Sequence, residues 1–317
     1  MKIDLNGILD SKRLAISRAL SFVENTDNLD MAITDALFQH LGRAYRIGVT
    51  GPPGAGKSSL VDRIISYWRN QDKRIAVISV DPTSPFTGGA ILGDRVRMGR
   101  HYADKGVFIR SMATRGNHGG LALRAQDAAD IFDAAGFDII VYETVGVGQV
   151  ELDGAKAADT TLVVLVPESG DDIQAMKAGL MEIADLFIIN KSDRQGANQA
   201  FAQIQSMLEM RHPEKGLWPP QVIKTSALKD EGITTLTDAL VEHRQYLNEH
   251  GIIRQNFRDR ILFKIKSHIE ENVLHTFWSE ERRKLLDQAM TTDSVKNILP
   301  GKIVDSLLKD EAKSPQV

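Results

Sequence analysis

RIGVTGPPGAGKSS, residues 46–59, is the stretch on which the reading of the fold turns. An apolar, β-branched run at 46–50 leads into eight residues that satisfy G-x-x-x-x-G-K-[ST], and a helical pattern follows over 58–69. The chemistry needs that order. Glycines let backbone amides close around phosphate oxygens, and a helix that begins at the loop adds its dipole. Gly51, Pro52, Pro53, Gly54, Ala55, Gly56, Lys57, Ser58 and Ser59 are therefore expected to cradle a nucleotide. Lys57 should reach the β- and γ-phosphates, and the Ser58 hydroxyl should ligate Mg2+.

Outward from this loop the chain keeps one rhythm over 44–248. Short apolar runs at 46–50, 75–80, 107–110, 138–142, 161–166, 186–189 and 222–224 alternate with helical patterns at 58–69, 121–135, 173–183, 197–210 and 233–248. Runs that are apolar throughout suit strands buried on both faces. The alternation predicts an α/β fold, a doubly wound, mostly parallel sheet. Residues 1–41 and 251–317 show helical spacing and no strand signal. The expected organisation is an N-terminal helical extension at 1–41, a P-loop domain at 42–250 and a C-terminal helical extension at 251–317. The two flanks read equally as an interaction surface or as cover for the core.

Composition narrows the function. The chain has 317 residues and no cysteine, which excludes disulfides, thiolate zinc sites and iron–sulfur clusters. Its net charge of −3 argues against nucleic acid as a partner. No run approaches the roughly 18 apolar residues of a membrane span. The N-terminal MKIDLNGILDSKR carries charges where a signal peptide is apolar, so a cytoplasmic location is expected.

Three carboxylates stand where such a sheet presents ligands, at or beyond the carboxyl ends of strands. Asp81 follows the run 75–80, Glu143 follows 138–142, and Asp94 lies in the Gly-rich stretch TGGAILGD, 87–94. Mg2+ keeps several waters, so one or two carboxylates suffice beside Ser58. Each acid is otherwise a helix N-cap or a solvated loop end. Glu143-Thr144-Val145-Gly146 occupies the place of a D-x-x-G motif, in which the Gly146 amide would sense the γ-phosphate. Gln149 reads as a plain loop residue more readily than as one that orients water. Arg95, Arg97, Arg110 and Arg115 share this region, with no spacing that singles one out as a catalytic cation.

Asn190-Lys191-Ser192-Asp193 follows the run 186–189 and matches N-K-x-D. A carboxylate at Asp193 can accept both N–H groups of the guanine N1 and N2 edge, a donor pair that adenine lacks. Lys191 would lay its alkyl stem over the purine, and Asn190 would brace neighbouring loops. Ser226, Ala227 and Leu228 follow the last strand run and form the loop expected to meet the guanine oxygen through a backbone amide. Guanine nucleotide, GTP or GDP, is therefore expected.

Taken together, GPPGAGKSS, SVDPTSPFTGGAILGDRVRM, ETVGVGQ, ESGDDIQAMKAG at 168–179, and NKSD resemble the MeaB/ArgK family of P-loop GTPases over nearly the whole chain. The nucleotide motifs show no departure from the family pattern. The resemblance implies a homodimer, with dimerisation expected in the C-terminal extension, and slow intrinsic GTP hydrolysis. It also implies a chaperone for adenosylcobalamin-dependent methylmalonyl-CoA mutase that gates cofactor loading and protects or rescues the enzyme. On this pattern Asp81, Asp94 and Glu143 fall on magnesium and switch positions, and Lys177 in a further segment that answers to the partner. Two other readings stand beside it. An ATP-dependent kinase linked to lysine/arginine/ornithine transport lacks the HRD and DFG signatures, and NKSD opposes ATP. A nickel or zinc metallochaperone needs clustered soft or imidazole ligands, whereas the eight histidines are scattered, His101 and His118 being the nearest pair.

Overall fold

A computed structural model describes residues 3–25, 31–81, 98–113, 120–144, 157–168, 180–210, 217–290 and 299–309. Seven strands, β1 (Tyr45–Thr50), β2 (Ile75–Asp81), β3 (Val107–Ala113), β4 (Ile139–Thr144), β5 (Thr160–Leu165), β6 (Leu186–Ile189) and β7 (Gln221–Lys224), form one sheet in the order β3-β2-β4-β1-β5-β6-β7. Every pairing is parallel. Each of the seven apolar runs is thus a strand, and the doubly wound sheet expected from the alternation is present. The chain winds outward from β1 in both directions. The carboxyl end of β1 is the topological switch point, where open α/β sheets place ligands.

The helices cover both faces. Those of the N-terminal and nucleotide-domain regions are α1 (Leu5–Leu9), α2 (Arg13–Asn25), α3 (Met31–Phe38), α4 (Lys57–Arg69), α5 (Gly120–Ala134), α6 (Leu180–Ile183), α7 (Ala197–Met210) and α8 (Ile233–Glu249). On one face Ile16, Leu20 and Val23 of α2 pack with Phe132 of α5 and Ile140 of β4. That spacing is the apolar stripe of an amphipathic helix. On the other face Leu60 and Ile64 of α4 pack with Leu236 and Leu240 of α8 against Ile47 and Val49 of β1. Tyr45, Ile47 and Val49 of β1 thus all face this second core, the period-2 alternation of a strand, and the side chains between them face the other way.

Arg46 is the exception within β1. It is 1% exposed, and its guanidinium donates to Asp130 at 2.7 Å and reaches Asp133 at 3.5 Å. Asp133 of α5 also accepts the backbone N–H groups of Gly42, Arg43 and Ala44, at 2.7, 3.1 and 3.0 Å. One buried carboxylate thus fixes both the entry to β1 and its only charged side chain. Asp133→Ala leaves three amides and part of a buried cation uncompensated. The expected cost is about 3–5 kcal/mol of folding stability, measured by denaturant unfolding. A loss below about 1 kcal/mol would show that water or Asp130 replaces the contacts.

By compactness the chain divides into residues 1–263 and residues 264–317. The long helix α9 (Ile252–Phe277) runs past that boundary, and α10 (Glu280–Met290) and α11 (Pro300–Lys309) follow. The helical pattern at 173–183 is described only for α6.

Candidate nucleotide-binding site

The loop that follows β1 is shaped by two glycines that admit no side chain. Gly51 has φ +140°, and a Cβ there would strike the Val164 carbonyl of β5. Gly56 has φ +88°, and a Cβ there would strike the Asn190 side-chain amide. Both positions combine a conformation that favours glycine with close approach by a neighbouring loop or strand. The loop is therefore held between β5 on one side and the end of β6 on the other. Helix α4 begins at Lys57 behind Gly56, and no side chain caps it. Amides of its first turn are thus left to a ligand or to water.

Lys57 is buried, and its Nζ donates to the carbonyls of Gly51, at 2.7 Å, and Pro52, at 3.1 Å. The ammonium lies across the loop from which amides would hold phosphate. Ser58, the next residue, is also buried and donates from Oγ to Glu143 Oε1 at 2.5 Å. Glu143 reaches this point because β4 lies between β1 and β2, its register neighbours being Val49 and Ser79. Two more hydroxyls, Thr50 Oγ1 and Ser79 Oγ, are buried on these strands with no hydrogen-bond partner among the described residues.

These oxygens suit a hard cation, which takes oxygen ligands and retains water. Ser58 and Glu143 are the two expected magnesium positions that the structure brings together. Asp81 closes β2 on the same sheet edge, but its side chain lies outside the described residues. Asp94, Gly146, Gln149 and Lys177 lie outside the described residues, as do Arg95, Arg97, Arg115 and His118. Among the described residues no group of three His, Asp or Glu side chains is placed to hold a metal. Arg110 sits within β3 and pairs with Glu24 of α2, which ties the N-terminal helices to the sheet. His101 meets Asp62 Oδ1 at 3.0 Å and so belongs to the anchoring of α4.

The second half of the site is built around Asn190. Its Nδ2 donates to the Ala55 carbonyl at 2.8 Å, and its Oδ1 accepts from the Ala227 N–H at 3.2 Å and Thr225 Oγ1 at 3.3 Å. One buried amide thereby joins the phosphate loop, the end of β6 and the turn after β7. Lys191 adopts φ 57° and donates to the Gly54 carbonyl at 2.7 Å, so its stem bridges the two motifs. Ser226 Oγ donates to Asp193 Oδ1 at 2.8 Å, and Lys229 lies 3.6 Å from Oδ2. The hydroxyl first, and the lysine after it, hold the Asp193 carboxyl below the usual range. Asp193 is thus an oriented, ionised acceptor. Leu228 is exposed at the lip of the same turn. Because the Ala227 amide is held by Asn190, a purine oxygen arriving there would share it. Thr225 and Lys229 were not legible as site residues, since neither stands in a motif of its own.

No helix among the described residues is long and apolar enough to cross a membrane. Residues 16–282 match the protein family described as methylmalonyl Co-A mutase-associated GTPase MeaB. A Pyrococcus abyssi protein provisionally named a GTPase is 44% identical over 301 residues, 94% of this chain and 93% of that protein. The Escherichia coli GTPase ArgK is 35% identical over 294 residues, 90% of this chain and 88% of ArgK. A crystal structure described as LAO/AO transport system kinase superposes with a TM-score of 0.71 at 26% identity, covering 98% of this chain and 96% of that one. With the phosphate loop and the NKSD loop joined through Asn190, and with a family match over most of its length, this chain belongs to the MeaB family of GTPases.

Proposed function

We propose that this protein hydrolyses GTP to GDP and phosphate with Mg2+, slowly on its own, and uses the nucleotide state to gate adenosylcobalamin loading into methylmalonyl-CoA mutase and to protect or reactivate that enzyme. The observation that carries the reading is the hydrogen bond from Ser58 to Glu143. Ser58 belongs to the phosphate loop, and Glu143 is the first residue of the E-T-V-G segment. A nucleotide with its metal competes for both groups, so occupancy bears directly on the chain that leaves β4. A switch moves only by the difference in its contacts to the two nucleotides, and this contact ties the phosphate loop to the segment that must move.

In this mechanism the backbone from Gly51 to Gly56 and the first turn of α4 bind the phosphates, with Lys57 leaving its carbonyl partners for the β- and γ-oxygens. Ser58, Asp81, Asp94 and Glu143 would hold Mg2+, which neutralises developing phosphate charge when bound. Asp193 reads the guanine edge, Lys191 lies along the base, and Ser226, Ala227 and Leu228 close over it. The Gly146 amide senses the γ-phosphate, and Lys177 answers to the partner. The family description supports the mutase as that partner. A homodimer through the C-terminal helices is supported by Ile265, Ile269 and Val273, which are exposed at four-residue spacing along α9. The protein is proposed to act in the cytoplasm.

Turnover assays with purified mutase test the reading. GTP hydrolysis should accelerate in the complex, and Lys177→Ala should lose the acceleration while keeping GTP affinity. Acceleration that survives the loss of Lys177 removes that residue's role. The similar crystal structure carries a kinase name, which favours a phosphotransferase as the second reading. That reading requires labelled phosphate to appear on a protein acceptor rather than in solution.

A further inference from the structure

We propose that the cleft at the amino-terminal edge of β5 and β6 is a second binding site, one that takes a small organic cation, an ammonium or guanidinium group on a short apolar chain. The cleft has a volume of about 430 Å³ and lies between the start of β5, the α6–β6 turn, the segment before β7 and the end of α8. That volume is in the range of small-ligand pockets, roughly 300–1,000 Å³. It lies at the opposite end of the strands from the phosphate loop, separated by the length of β5, about 17 Å. The cleft is therefore separate from the nucleotide site.

The walls are aromatic and the floor is acidic. Trp218 stands 5.4 Å from the Tyr246 ring and 4.6 Å from the His243 ring, centroid to centroid. Its indole N–H is fixed on the Asp185 carbonyl at 3.2 Å. Such faces attract cations through the ring quadrupole. Among the described residues, no Lys or Arg lines the cleft. Asp159 is already satisfied, by Arg260 at 2.6 Å and by the Arg46 backbone N–H at 3.0 Å. Glu182 stands exposed beside the cleft.

Among the described residues, Asp185 is the carboxylate of this cleft with no Lys or Arg against it. One oxygen accepts the Thr161 N–H at 2.7 Å, and the other faces His243 Nε2 at 3.5 Å, beyond a firm hydrogen bond. His243 supplies no charge there. It is buried, its Nδ1 lies 2.8 Å from Thr160 Oγ1, and burial pushes it down to about 4. Burial, with the neighbouring Asp159 charge adding to it, pushes Asp185 up to about 7. Among the described residues, the titratable groups around Asp185 are thus the neutral His243 imidazole and the Tyr246 phenol of α8, the Tyr45 phenol of β1, the paired Asp159 carboxylate and Glu182 of α6. A ligand cation against Asp185 supplies the missing charge, restores the ionised carboxylate and releases a proton near neutral pH.

The linkage has a sign that can be checked in the free protein. Between about pH 4 and 7 the folded chain holds on Asp185 a proton that the unfolded chain gives up, so this group lowers stability as pH rises through that window. His243 acts in the opposite sense below its ordinary value of 6.5, since the unfolded chain then binds the proton. The two compensate across the acid range. Asp185→Asn should leave only the histidine effect, so the melting temperature falls more steeply on acidification than in the parent.

The binding test uses n-butylammonium, with n-butanol as its neutral isostere, on the full chain at constant ionic strength. Calorimetry should show saturable binding of the ammonium and not of the alcohol, tightening between about pH 6 and about pH 8 as Asp185 ionises. Asp185→Asn should weaken it roughly 10-fold to 100-fold, the loss of one charge-assisted contact, while GDP affinity stays unchanged and reports an intact fold. Should that variant fail to fold, Trp218→Phe keeps the ring face and should bind, whereas Trp218→Ala should not. Equal binding of alcohol and ammonium, undiminished binding in Asp185→Asn, or no saturable binding at tens of millimolar would each overturn the proposal.

Discussion

Asp193→Asn should exchange the base preference of this protein. The carboxylate is oriented by Ser226 Oγ at 2.8 Å and kept ionised by that bond. It can then accept two guanine N–H groups, and charge-assisted hydrogen bonds contribute about 1.5–3 kcal/mol each. An amide keeps one acceptor and turns a donor toward the second guanine N–H. The expected loss of GTP affinity is roughly 100-fold or more. Xanthosine triphosphate carries an oxygen where guanine has its amine, so the new donor finds an acceptor and affinity for that nucleotide should rise. Competition binding with both nucleotides reads the exchange. Parallel loss of both would mean that Asp193 supports the loop and does not read the base, and equal affinity of the unmodified protein for ATP and GTP would contradict the assignment outright.

Lys57→Ala should have an effect of similar size on a different property. The ammonium is fixed by the Gly51 and Pro52 carbonyls at 2.7 and 3.1 Å. On phosphate it would make charge-assisted contacts to both β- and γ-oxygens. Their removal should cost about 3 kcal/mol or more, again roughly 100-fold in GTP affinity, and turnover should fall below detection. Base selectivity should persist, because nothing in the Asn190–Asp193 group depends on the lysine except through the loop backbone. Retained turnover in Lys57→Ala would displace the phosphate site from the G-P-P-G-A-G-K-S loop.

How much of this was legible in the sequence depended on whether a feature is local. The seven strands were, because strands of a parallel sheet covered by helices on both faces are mostly apolar, and six residues such as Ile75–Val80 suffice to show it. The phosphate loop was, because its glycines, lysine and serine are contiguous. The contacts between motifs were not. Nothing in the spacing says that Asn190 occupies the space a Cβ on Gly56 would need, or that Ser58 meets Glu143 eighty-five residues on. Arg46 reads as the polar start of a strand, yet it is buried, since Asp130 and Asp133 come from a helix more than eighty residues away. Thr225 carries no signal of its own, because its hydroxyl acts only through Asn190. The second cleft was invisible for the same reason, being assembled from Asp185, Trp218 and His243 on three separate elements. Asp94, Gly146 and Lys177 rest on motif and resemblance alone.

The central claim is that nucleotide state is read by a partner. Linkage makes it measurable without assuming any mechanism of activation. If methylmalonyl-CoA mutase prefers the GTP form, it must tighten GTP by the same factor by which GTP tightens the complex, typically about 5-fold to 150-fold for coupled sites. The direct measurement is calorimetric titration of purified mutase into this protein loaded with GDP and, separately, with a non-hydrolysable GTP analogue. The expected result is a complex whose affinity differs between the two nucleotides, with a matching change in nucleotide affinity when the mutase is present. Identical affinity in both states, or no complex in either, would contradict it.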